Sequence, residues 1–226
     1  MIISTRARGA ALAAVTLLCA APLAAALPTV VRADNPVQAA VGLVAPIVSR
    51  THTTQATYAV YYWNRLTPQR GEASEEWSAE FNRGNWHRVE TPRDRMIADC
   101  KAMRGIDLSL ETGQIVSGPA VAKAACGINA NRPVRQSEYL GRIDGHLGAF
   151  DRVRLTDASD IRTYDVSGDG VILGVTYANV DQPGSVTLTM TSTGLDHALP
   201  DSDMFSPESL GRSVVPDRFK AAPQGK

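Results

Sequence analysis

Glu76-Trp77-Ser78-Ala79-Glu80-Phe81-Asn82-Arg83-Gly84-Asn85-Trp86-His87-Arg88-Val89-Glu90 is the stretch whose reading decides the fold. Trp77, Ala79 and Phe81 alternate with Glu76, Ser78 and Glu80. Residues two apart share a strand face, so the pattern predicts a strand with an apolar inner face and a wet outer one. Asn82 to Asn85 has turn chemistry, and Trp86 to Glu90 returns as the partner strand. The chain is therefore expected to be mainly β and antiparallel.

Upstream, Tyr58, Val60 and Tyr62 fall on one face of a strand ending at Leu66, and Ala59, Tyr61 and Trp63 fall on the other. A strand apolar on both faces belongs in the middle of a sheet. Before it, Asp34-Asn35-Pro36 supplies an N-cap and a proline near the first helical position. Val37, Ala40, Val41, Val44 and Val48 then recur at helical spacing up to Arg50, across Gly42 and Pro46, which weaken the helix. The first 33 residues read as an export signal: Arg6 and Arg8, an apolar run from Ala10 to Ala26, and small residues at Ala24, Ala26 and Ala33 for cleavage. The run is rich in Ala and short of the ~20 strongly apolar residues of a spanning helix, so no transmembrane segment is expected after cleavage. Leu17 and Leu18 precede Cys19, whereas lipidation wants a small residue there, so Cys19 reads as part of the discarded peptide. The expected location is periplasmic or secreted.

Downstream, strands are expected at 95–100, 106–110 and 114–117, the last two joined by Glu111-Thr112-Gly113. Pro119 opens a short helix over 120–126 and Gly127 closes it. Five further strands follow near 137–143, 150–155, 161–166, 171–178 and 185–191, punctuated by Asp144-Gly145, Ser167-Gly168-Asp169-Gly170 and Gln182-Pro183-Gly184. Short strands joined by tight turns make an antiparallel meander. The expected division is a signal peptide over 1–33, one β-rich domain over 34–215 with a helical turn near 207–210, and a flexible tail over 216–226.

Twenty-three basic residues against 23 acidic ones leave no formal net charge, which argues against nucleic-acid or anionic-membrane binding. Cys100 and Cys126 are the cysteines that survive cleavage, and in an oxidising compartment the simplest use for them is one disulfide. On the chain-entropy description such a loop stabilises by roughly 3 kcal/mol. A thiol or metal site would call for a C-x-x-C pair or nearby His ligands, and His87 stands alone on its strand.

Asp165-Val166-Ser167-Gly168-Asp169-Gly170 imitates the start of a calcium loop, but Thr176 holds the position that needs a bidentate carboxylate, so a hairpin turn is expected. Arg88, Glu90, Arg93, Asp94 and Arg95 read as a solvated, salt-bridged strand end rather than an anion site. His52, His87, His146 and His197 are scattered without zinc-ligand spacing, and no cofactor is expected. No G-x-S-x-G elbow or Gly-rich phosphate loop occurs, and the adjacent Glu75 and Glu76 point to opposite strand faces, so no catalytic residues are assigned.

Aromatic residues gather between Tyr58 and Trp86 in a chain that is only 6% aromatic. They are either solid core or, in part, the lining of an apolar cavity, for which Tyr62, Trp77 and Phe81 are the chosen residues.

A cleaved signal, an opening helix before Thr57-Tyr58-Ala59-Val60-Tyr61-Tyr62, a long run of strands and a Pro-rich end from Leu199-Pro200 through Met204-Phe205 together resemble the periplasmic lipoprotein-carrier superfamily, the LolA/LolB-like fold. The resemblance is architectural and covers about residues 35 to 215. It implies a curved antiparallel sheet or half barrel with a few covering helices. The Cys100 and Cys126 pair departs from the general carrier pattern, pointing to a divergent member, and no family binding residues are carried over. The expected function is a non-enzymatic domain that binds an apolar or amphipathic ligand, a lipid or acylated molecule. The alternatives are an envelope interaction module with a filled core, and an enzyme whose site assembles only in the fold.

Overall fold

The structure, a computed structural model, describes residues 36–68, 71–128, 133–199 and 201–223. The export signal, Cys19 and the expected N-cap residues Asp34 and Asn35 lie outside them. Helix α1 (Pro36–Thr53) starts with its proline in place and runs three residues past the expected end, with Pro46 inside it. Two meanders follow. The first contains β1 (Tyr58–Leu66), β2 (Ser74–Arg83), β3 (Trp86–Glu90), β4 (Asp94–Asp99), β5 (Arg104–Ser109) and β6 (Ile115–Gly118). Helix α2 (Pro119–Ala125) leads on to β7 (Gln136–Gly145), β8 (Gly148–Thr156), β9 (Asp160–Ser167), β10 (Ile172–Asn179) and β11 (Gln182–Asp196).

All eleven strands form one open antiparallel sheet in the order β6-β5-β4-β3-β2-β1-β11-β10-β9-β8-β7. The first strand pairs with the last, so β1 sits at the centre, as its doubly apolar sequence requires. β-Bulges between Tyr61 and Tyr62, between Ile172 and Gly174 and between Tyr139 and Gly141 add local twist, and the sheet is curved. β11 runs five residues beyond its expected end at Thr191 because Tyr61, Val60 and Ala59 still offer it partners.

Both helices pack on one face of the sheet. Val44 and Ile47 of α1 meet Val153, Leu155, Tyr164, Val166 and Val175. Ala122 and Ala125 of α2 meet Ala98. Cys100 and Cys126 are bonded with Cα atoms 5.6 Å apart, inside the window for an unforced bridge, and tie the end of α2 to the sheet. The Asp165 to Gly170 stretch is a hairpin turn, and its oxygens are already engaged: Asp165 pairs with Arg152, and Ser167 with Asp169.

The opposite face of β1 to β4 is covered by the chain from 201 to 219. Met204 and Val215 are buried against Ala59, Tyr61, Ala79 and Phe81. Phe219 stacks on Tyr61 at 3.8 Å between ring centroids, with Gly194 beneath it, where a Cβ would stand 2.7 Å from the Phe219 ring. Packed chain therefore continues four residues past the boundary expected at 215. This strap also buries the β2 face that the hairpin pattern assigned to the core, while Ser78 and Asn82 on the other face are buried at 7% and 3% exposure. The expectation of a wet outer face for β2 is corrected: a central strand has two covered sides.

Candidate functional site

The three residues chosen from sequence as a cavity lining do not meet in one hollow. Tyr62 pairs with Ser78, whereas Tyr61 pairs with Ala79 and Trp63 with Trp77, so Tyr62 occupies the helix-bearing face and Trp77 and Phe81 the strap-bearing face. Tyr62 is fully buried with Tyr58, Val60, Val171 and Leu173, and its hydroxyl donates to the Ile172 carbonyl at 2.6 Å. Burial pushes its phenol well above the usual range, so it stays neutral. Phe81 is fully buried under the strap, edge-on to Tyr61, and Trp77 is half-buried at the margin near Lys220. These rings fill core on two faces of the sheet, Tyr62 from β1 and Trp77 and Phe81 from β2.

The Arg88 to Arg95 cluster is likewise not the solvated strand end that its sequence suggested. Arg88 and Glu90 have no exposure. Arg88 donates to Glu90 Oε1 at 2.7 Å, to the Met204 carbonyl and Ser209 Oγ at 2.6 Å each, to the Arg212 carbonyl at 2.8 Å and to the Ser209 carbonyl at 3.3 Å. Glu90 also accepts from Ser213 Oγ at 2.7 Å and the Val214 N–H at 3.1 Å. Desolvation lowers the Arg88 pKa, and the Glu90 charge opposes that shift. The pair is a latch for the strap, and all its donors are used internally.

Three larger clefts remain. One of about 630 Å³ lies where the β7–β8 turn approaches β9 to β11, lined by Leu140, Ile143, Leu147, Phe150, Leu173 and Met190 together with Thr163, Thr176, Thr189, Thr191 and the Arg152–Asp165 pair. A second, of about 570 Å³, runs between Phe205 and Pro207 of the strap and Trp86, Ile97 and Ile106. The third, also about 570 Å³, opens between α1 and the start of β7, with Val44, Ala45, Val48, Val134 and Leu155 as walls and Ser49, His52, Arg135, Gln136 and Ser137 as the polar remainder.

The C-terminal end of α1 is fastened to the sheet beside the cleft. Arg50 pairs with Asp151 at 2.5 Å and also donates to the Val166 carbonyl at 3.1 Å. Thr51 Oγ accepts the Ile128 N–H at 3.1 Å. Gly170, with φ +91°, lets the β9–β10 turn touch the helix end; a Cβ there would stand 2.4 Å from the Arg50 carbonyl oxygen. Burial alone would raise the Asp151 carboxyl, but hydrogen bonds from Arg50 and the Tyr139 hydroxyl hold it below the usual range. One turn earlier, Val44 and Val48 lean over Leu155 with space beside them. Helical periodicity in α1 and a strand over 150–155 were both readable from sequence; the gap between them was not.

His87 is buried, with Nδ1 3.4 Å from Asn82 Oδ1 and Nε2 3.5 Å from Glu80. Among the described residues no group of three or more His, Cys, Asp or Glu side chains converges as a metal site.

No protein-family model matches the chain, and no curated protein matches it. Solved structures that its fold is similar to include an uncharacterized conserved protein from Thermus thermophilus, at TM-score 0.49 and 10% identity over 76% of this chain and 93% of that one. A LolA superfamily protein from Nitrosomonas europaea is similar at TM-score 0.41 and 9% identity, over 74% of this chain and 98% of that one. A DUF1329 family protein from Desulfovibrio piger is similar at TM-score 0.36 and 9% identity, over 78% and 99%.

Proposed function

We propose that the chain is an exported, non-enzymatic binding protein for an apolar or amphipathic ligand, a lipid or acylated molecule, held in the cleft between α1 and the β7–β8 side of the sheet. The observation that carries this is the cleft itself: about 570 Å³, walled by Val44, Ala45, Val48, Val134 and Leu155. That volume falls within the ~300–1,000 Å³ of small-molecule sites. Each methylene buried there contributes about 0.8 kcal/mol before association costs, so a short acyl chain binds usefully and still exchanges. Export is supported by the signal-like N-terminus and by the disulfide.

The test is displacement of a fluorescent fatty-acid analogue from the protein and from Val48→Trp, whose indole fills the cleft. Binding that weakens by about tenfold or more supports the site; unchanged binding with an intact fold refutes it.

A second reading rests on the edge of the first meander. Ile115, Val116 and Leu110 are exposed at 65%, 49% and 37%, at or beside β6, the terminal strand of the sheet. A partner protein adding a strand there is the interaction-module alternative. Ile115→Lys would then abolish partner capture while leaving lipid displacement intact.

A further inference from the structure

We propose that the α1 cleft selects amphiphiles with an anionic headgroup, carboxylate or phosphate, and that Arg135 reads the charge. The inference rests on the ligand reading above and adds the chemical class of the headgroup.

Arg135 lines the cleft together with Val44, Val48, Leu155 and Gln136. Its backbone is fixed, because the Arg135 N–H donates to the Thr156 carbonyl at 2.8 Å. Its guanidinium is exposed and, among the described residues, has no carboxylate partner. Other arginines on the same elements are committed: Arg50 to Asp151, Arg152 to Asp165, and Arg154 to Glu138. No Asp or Glu lines the cleft. Arg135 is thus the permanently charged side chain among the residues that line the cleft, and an anionic head there meets no opposing carboxylate.

The geometry suits the chemistry. A guanidinium offers a planar fork of donors that grips a carboxylate or phosphate through two parallel hydrogen bonds. Apolar walls on one side reduce the competition from water, so the same contact is stronger here than on an open surface. Gln136 supplies a further amide donor for an oxygen the fork leaves unpaired. The tail would run inward along Val44, Val48 and Leu155, leaving the head at the solvent side where Arg135 sits.

The experiment compares dodecanoate, dodecyl phosphate and dodecanol as competitors for the fluorescent analogue, at neutral pH and low salt, on the intact chain and on Arg135→Gln. The expected result is that both anions bind about tenfold more tightly than the alcohol, the size of one partly exposed charge-assisted contact. In Arg135→Gln that ratio falls towards one, while Arg65→Gln, an exposed arginine outside the cleft, keeps it. Added salt narrows the ratio in the unsubstituted protein. Preference for dodecanoate alone or dodecyl phosphate alone identifies which headgroup the fork accepts. Equal binding of all three competitors, or a ratio that survives Arg135→Gln, overturns the headgroup assignment but leaves the cleft reading standing. Failure of dodecanol and both anions to compete overturns the two together.

Discussion

Replacing Arg88 with Met preserves most of the side chain's length and removes every donor of the strap latch. Five hydrogen bonds disappear, one to the Glu90 carboxylate and four to the strap at Met204, Ser209 and Arg212. Glu90, with no exposure, keeps Ser213 and Val214 as donors and Arg95 at 3.7 Å, so the remaining charge is only partly compensated. Removing one partner of a buried pair costs about 3 to 5 kcal/mol. Urea slopes for domains of this class are roughly 2 to 3 kcal/mol per molar, so the midpoint should fall by about 1.5 M. Adding Glu90→Leu removes the stranded charge and should restore part of the loss, leaving the strap carbonyls short of a donor and the Ser213 hydroxyl and Val214 N–H short of an acceptor. Hydrogen exchange should rise first between residues 201 and 219, before the sheet strands, because those residues depend most on the latch. A loss below about 1 kcal/mol in the single variant, or a double variant less stable than the single, would refute the reasoning.

Phe81→Ala should cost about 3 to 5 kcal/mol in the same assay, because the ring is fully buried against Tyr61 and under the strap; a much smaller loss means the strap closes the gap. Reducing the Cys100–Cys126 bridge should lower stability by roughly 3 kcal/mol, read as a drop in melting temperature with reductant, and Cys100→Ser with Cys126→Ser should then be insensitive to reductant. Asp151 is held below its ordinary pKa, so its contribution is fully present above about pH 4 and is lost as pH falls through the folded-state value. Asp151→Asn should therefore melt earlier than the unsubstituted protein at neutral pH, and the gap should shrink on acidification; a gap constant with pH would contradict the Arg50 anchor.

Much of the fold was legible because it is local. The alternation at Trp77, Ala79 and Phe81, the turn at Gly84 with φ +60° and the proline at the start of each helix specify elements through neighbours a few residues away. Errors cluster where partners come from far off. The end of β11 was set short because its last residues pair with β1, more than a hundred positions earlier. The role of Glu80 and Ser78 was misread because alternation reports two faces without saying whether the second is covered.

The sequence by itself determined a mainly antiparallel chain, its helix starts, its hairpins and the pairing of two cysteines, since periodicity, turn chemistry and parity act within a few residues or need no geometry at all. Only the tertiary structure decided that Arg88 and Glu90 are interior, that Tyr62 and Phe81 lie on opposite faces of the sheet, and that space remains beside Val44, Val48 and Leu155. The physical reason is the same for all three. A charge is buried when a distant segment brings it hydrogen-bond partners, and a cleft is what two separately specified surfaces leave between them where they do not fit.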